Sequence, residues 1–308
     1  MTLPAACEKK QSVPDSGSDA GATASSRPGS LDPAAPLQLL YVPDGGDVAL
    51  EGARPLGANL LQPPLGARCS AEMVDVAGRF CIDRYEASLV DTRAGRAISP
   101  YFPARRQDTR FTLDAFENTL PRAGAFALPR PPAFQLEEAF EPKAVSAEGS
   151  IPNGYLSGNV AREACLNAGK RLCTPAEWVT ACRGEKARKF PYGDSYEPGV
   201  CNVSREAHPA SVLWGNASKN HLDPRLNLVA GSEGALLRRT GATRECRSTW
   251  GSDAVFDMVG NLDEWVDEPR GAFLGGFYAR ATREGCDSRI SSHPPEYFDY
   301  SLGVRCCK

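Results

Sequence analysis

Apolar and polar positions alternate along this chain only in short stretches, and a sustained helical period is rare. Met73 to Phe80 alternates loosely around Gly78 and runs at once into Cys81-Ile-Asp-Arg-Tyr-Glu86. This is the pattern of a strand, a turn and a second strand, and it would bring Cys69 close enough to Cys81 to bridge. Residues 100–150 are rich in proline and aromatics without a lasting period, so they are expected to form long irregular loops. Two helices follow. Between Gly158 and Ala168 the apolar positions are Val160, Ala164, Cys165 and Ala168, and Gly169 offers a C-terminal stop. The next helix opens at Thr174-Pro175-Ala176-Glu177. There Thr174 can accept from the Glu177 amide while Glu177 reaches back, and Pro175 sits where a missing N–H costs nothing. Trp178 and Cys182 then share one face. Beyond Arg183, Gly, Pro, Asn and Asp recur every few residues, so no long helix is expected.

The polar stretches divide the sequence. Residues 1–36 are a tail, low in complexity from Glu8 onward, whose Ser, Asp, Gly, Ala and Pro cannot bury enough apolar surface to offset conformational entropy. Residues 37–66 are a Pro/Gly-rich lead-in with one short apolar run, Leu37 to Val42. The folded domain is expected over residues 67–308.

Charge excludes more than it suggests. Net charge is −3, with 35 basic and 38 acidic residues intermixed, and no basic stripe interleaves with aromatics, so a nucleic-acid partner is not expected. His208, His221 and His293 are too scattered for a three-His iron or zinc site. Cysteine changes the picture. There are eleven, ten of them between Cys69 and Cys307, and no C-x-x-C knuckle occurs. The spacing favours disulfides over zinc, and disulfides in such number belong to an oxidising space outside the cytoplasm. No apolar run is long enough to span a bilayer. Leu3-Pro4-Ala5-Ala6-Cys7 resembles the end of a bacterial lipoprotein signal, with Pro where a large apolar residue is usual. Cys7 is therefore a candidate lipid anchor, on the expectation of a start codon further upstream; the alternative is a free thiol in a tail. A membrane is expected only through that anchor.

Several blocks, in order, carry a resemblance. They are Cys81 to Glu86, Ala168-Gly-Lys-Arg-Leu-Cys-Thr-Pro-Ala-Glu-Trp178, Cys182-Arg-Gly184 and Phe190-Pro-Tyr-Gly-Asp194. Val255-Phe-Asp-Met-Val-Gly-Asn-Leu-Asp-Glu-Trp-Val266, Gly275-Gly-Phe-Tyr278 and Leu302-Gly-Val-Arg-Cys306 follow. Together they resemble the formylglycine-generating enzymes, the sulfatase-modifying factor family. The resemblance implies an irregular, loop-rich α+β domain related to C-type lectins and stapled by disulfides. It implies pairing of Cys165 with Cys306 and of Cys182 with a cysteine near Cys286. Cys173, Cys201, Cys246 and Cys307 keep three possible connectivities.

The resemblance also implies metals. One structural Ca²⁺ would use the carboxylates of Asp257 and Glu264 with the carbonyls of Gly260 and Leu262, a hard-oxygen set suited to that ion. A turn whose acids cap backbone amides is the plainer alternative. A second Ca²⁺ would use Asn202 and the Val203 carbonyl, with no downstream acidic ligand apparent. Family members oxidise a sulfatase cysteine to formylglycine with copper held by two thiolates that follow a Gly-Gly-Ser-Tyr turn. In this protein that turn is Gly275-Gly276-Phe277-Tyr278, and the two thiolate positions are Arg280 and Gly285. Asp263 stands where the family has Trp. Cys286, one residue late, is a weak catalytic candidate and cannot form a dithiolate alone. Copper is therefore not expected.

The reading that follows is an exported domain without the copper-binding pair, a pseudoenzyme that binds a protein, peptide or glycan. Asp263, Phe277, Tyr278, Arg280, Arg283 and Glu284 would line its cleft. An oxidase with a rearranged site, and an accessory factor for a partner protein, are the alternatives.

Overall fold

The computed structural model describes residues 68–122 and 127–308. The tail, the lead-in and Cys7 all lie outside the described residues. A four-stranded sheet joins widely separated parts of the sequence, in the order Met73–Val76, Phe80–Asp83, Cys306–Cys307, Arg171–Leu172. A second runs Arg289–Ile290, Phe273–Leu274, Asp263–Trp265, Leu302–Val304, with the last two strands parallel. The strands are short because Gly and polar turns interrupt the apolar pattern every few residues, so no one sheet can carry the core. Three apolar clusters share it, centred on Trp178, on Trp265 and on Tyr155 with Tyr278 and Tyr300.

The N-terminal hairpin follows its alternation, Met73–Val76 pairing antiparallel with Phe80–Asp83 across a turn at Ala77 and Gly78. The first expected helix spans Gly158–Asn167, capped by the Ser157 hydroxyl, which accepts from the Val160 amide. The second spans Pro175–Arg183, and its Thr174–Glu177 capping box is formed in both directions. Between residues 100 and 150 the structure corrects the expectation of loops. A helix covers Arg106–Phe116, a short one Ala133–Glu137, and a strand Pro142–Ser146 pairs along its length with Ala87–Asp91. The longer helix buries Thr109, Thr112, Leu113 and Phe116. Its buried stripe has helical spacing, but half of it is threonine, which a hydrophobic pattern does not register.

Five disulfides staple these pieces. Cys69–Cys81, Cys165–Cys306 and Cys182–Cys286 are closed, and the four remaining cysteines pair as Cys173–Cys307 and Cys201–Cys246. Three of the bridges close loops of more than a hundred residues, each of which stabilises by about 4 kcal/mol through loop entropy. Among the described residues no helix is long and apolar enough to cross a membrane.

Candidate functional site

The turn from Asp257 to Glu264 is buried along its whole length. Asp257 and Asn261 hold left-handed backbone conformations, as does Gly260 between them. A side chain at Gly260 would meet the Asn202 carbonyl oxygen at 2.4 Å, so the 202–203 segment can lie against this turn only because the residue is glycine. Asn261 completes the join: its amide donates to the Asn202 carbonyl, and its side-chain oxygen accepts from Asn202 Nδ2, both at 2.9 Å. The structure thus brings the two expected calcium segments together.

Behind the turn lies a buried charge cluster. Glu86 accepts from the Leu262 amide (3.0 Å) and from Asn261 Nδ2 (2.6 Å). Glu264 accepts from Trp178 Nε1 at 2.7 Å and from Arg305 Nη2 at 2.9 Å. Arg305 spends its other donors on the carbonyls of Asp83 and Phe256. Asp257 accepts from the Gly241 amide at 2.6 Å. Burial pushes Asp257 up to about 6, and it raises Glu86 well above the carboxylate range, with Asp257 and Glu264 adding repulsion. Three buried carboxylates thus face one buried guanidinium. Raised in this way, Glu86 and Asp257 are shifted toward their protonated forms, and among the described residues no group of three or more His, Cys, Asp or Glu side chains could hold a metal ion; Asn202 Oδ1 is a buried oxygen with no hydrogen-bond partner among the described residues. Glu264 could add a cation only while sharing its oxygens with Arg305.

The other face of the turn holds several of the residues expected to line a cleft. Gly275 and Gly276 follow the strand Phe273–Leu274 with left-handed backbones. A Cβ at Gly275 would meet the Met258 carbonyl oxygen at 2.7 Å and the Trp178 ring at 3.1 Å. Asp263 Oδ1 accepts from the Gly276 amide (2.9 Å) and from Arg280 Nη2 (2.8 Å), which also reaches Ser288 Oγ at 3.2 Å. Burial pushes Asp263 up to about 7 despite the Arg280 charge, and its Oδ2 has no partner among the described residues. Thr282 Oγ1 is likewise without one. The half-buried Phe277 ring stands edge-on to His208, Tyr278 and Tyr300.

The remaining sequence candidates fall in different places. Tyr278 is fully buried and donates its hydroxyl to Asn227 Oδ1 at 2.8 Å, so it belongs to the core and not to an open cleft lining. Arg283 and Glu284 are exposed, and Arg283 lies over the Tyr196 ring at 4.0 Å, outside the Asp263 group. Cys286 is buried in its bridge to Cys182, so its sulfur is not a thiolate ligand in the oxidised protein. Sequence reasoning missed His208 and Tyr300, paired at 3.1 Å between Nε2 and the hydroxyl. They are 92 residues apart and no local signal joins them.

Taken together, the sheets, staples and turn define a disulfide-stapled, loop-rich α+β domain of the C-type-lectin-like class. Residues 144–308 match the family described as "Sulfatase-modifying factor enzyme 1-like domain", over more than half of the sequence, and the chain belongs to that family. The hairpin Met73–Asp83 is continuous with the matched part, since its second strand pairs with Cys306–Cys307. Among solved structures, Major Tropism Determinant I1 Variant is 16% identical with a TM-score of 0.40. That match covers 80% of this protein, which spans 54% of that one, about half its length. PvdO from Pseudomonas aeruginosa is 16% identical, TM-score 0.34, covering 74% of this protein and 79% of that one. The crystal structure of CarF is 12% identical, TM-score 0.33, covering 74% and 85%. No match was found among curated protein sequences.

Proposed function

We propose that this protein is an exported member of its family that binds a protein, peptide or glycan and does not oxidise cysteine with copper. One observation carries the reading: the first thiolate position is Arg280, ion-paired to Asp263, and the second is Gly285. A guanidinium there repels a metal cation, and copper(I) needs soft sulfur ligands. The ten cysteines of the described residues are all in disulfides, which supports both this reading and an oxidising compartment. Asp263 Oδ2 and Thr282 Oγ1 are buried beside Arg280 without partners among the described residues, and in this reading they are the groups a ligand would complete. A structural Ca²⁺ held by Asp257, Glu264 and the carbonyls of Gly260 and Leu262, with Asn202 and Val203 at a second position, belongs to the same proposal. It would brace the turn and take no part in ligand chemistry. Incubating the purified protein with a sulfatase-derived cysteine peptide, copper and oxygen tests the proposal by mass spectrometry. The peptide is expected to emerge unchanged; conversion of its cysteine to an aldehyde would overturn the reading.

A further inference from the structure

A cavity of about 260 Å³ opens between residues 196–207 and the hairpin of strands Ala230–Gly231 and Gly234–Ala235. It backs onto the Gly275 turn, since the Ser204 amide donates to the Arg280 carbonyl and the Arg205 amide to that of Tyr278. Two guanidinium groups converge in it. Arg205 and Arg238 approach the same carboxylate, Glu233 at the hairpin tip, at 3.0 and 3.6 Å.

The burial of the partners is unequal. The Arg205 side chain is 9% exposed and that of Arg238 26%, whereas Glu233 is 63% exposed. Elsewhere the protein builds a structural pair differently: Arg225 and Asp223 are both buried, joined through Nε and Nη2 at 2.9 and 3.0 Å. Arg205 Nη1 lies near Glu233 yet makes no aligned hydrogen bond, and Ser204 Oγ is also buried without a partner among the described residues. Burial, then repulsion from Arg238, works against the Arg205 charge, so a better-placed anion is favoured there. Glu206 at the rim is exposed and attracts Arg205 only from a distance. The Arg238 backbone is anchored to the 257–264 turn: its amide donates to Asn261 Oδ1 at 2.9 Å, and its carbonyl accepts from Asn261 Nδ2. One nearly buried and one half-buried guanidinium facing a loosely held, exposed acceptor are the arrangement of a binding site closed by a stand-in.

We infer that this cavity is a carboxylate-binding site for a protein or peptide partner, with Glu233 as its resident occupant. An acidic side group or the free C-terminus of a polypeptide displaces Glu233 from Arg205 and Arg238 and takes up the Ser204 hydroxyl. The site does not depend on the cleft beside Gly275 and stands whether or not that cleft performs chemistry.

The test is a titration of full-length protein followed through the arginine Nε–H signals by NMR. The probes are three acetylated alanine-based tripeptides: one with a free C-terminal carboxylate, one with an internal aspartate and an amidated end, and one amidated with no carboxylate. Removing the resident competitor with Glu233→Gln is expected to tighten binding of a carboxylate probe by about tenfold or more, because the open state no longer has to be won from Glu233. Arg205→Gln in the Glu233→Gln background is expected to abolish it, with Arg238→Gln as a second variant should the first fail to fold. Which of the two carboxylate probes responds tells a free C-terminus from an acidic side group. Unchanged affinity for both in Glu233→Gln, or equal binding of the probe without a carboxylate, would overturn the inference.

Discussion

The two faces of the 257–264 turn are built from similar residues and finished differently. On the inner face both Glu86 oxygens, the Glu264 carboxylate and the Arg305 guanidinium have partners within the protein. On the outer face Asp263 Oδ2 and Thr282 Oγ1 are as deeply buried but have none among the described residues. Satisfied networks help to specify a fold, whereas an unsatisfied buried group is a cost that something else has to offset. The difference separates a closed inner network from a group of buried atoms beside Arg280 that the protein leaves open.

The contrast breaks most visibly at Arg305. Arg305→Met would leave three carboxylates buried without their guanidinium, and equilibrium denaturation is expected to show a loss of about 3–5 kcal/mol or failure to fold. Replacing Cys165 and Cys306 together by alanine removes a staple across 141 residues and is expected to cost about 4 kcal/mol in the same measurement. Gly275→Ala sets a side chain at φ +97° against the Met258 carbonyl and the Trp178 ring, for a loss of about 3 kcal/mol. Chelation of Ca²⁺ is expected to lower stability by about 2 kcal/mol, read as a fall in Tm that added Ca²⁺ restores. An unchanged Tm would exclude a structural calcium.

The smallest effect concerns pH. The folded-state value of Asp263 is raised to about 7, above its ordinary value, so its contribution is fully present at low pH and lost as pH climbs through about 7. Wild-type stability is therefore expected to fall between mildly acidic and neutral pH, and Asp263→Asn to flatten that slope. An unaltered slope in the variant would assign the pH dependence to other groups.

Much of this was legible in the sequence where the physics is local. The Thr174–Glu177 capping box and the Gly158–Asn167 helix rest on signals within a few residues. The family blocks placed the Gly275 turn and showed which thiolates were missing. What stayed hidden depends on distant partners. Glu86 lies in one of the family blocks, yet nothing near it reveals that it holds the amides of residues 261 and 262, 176 positions away for the backbone contact. Arg305 and Glu264, His208 and Tyr300, and the convergence of Arg205 and Arg238 on Glu233 are of the same kind. The Arg106–Phe116 helix was hidden for another reason, its buried stripe being half threonine.

The central claim is that no pair of thiolates remains beside Gly275 to hold copper. Anaerobic titration of the oxidised protein with Cu(I) against a coloured chelating competitor tests it most directly. The competitor is expected to keep all the copper, in wild type and in Arg280→Ala alike. Transfer of one equivalent of Cu(I) to the wild-type protein would contradict the claim.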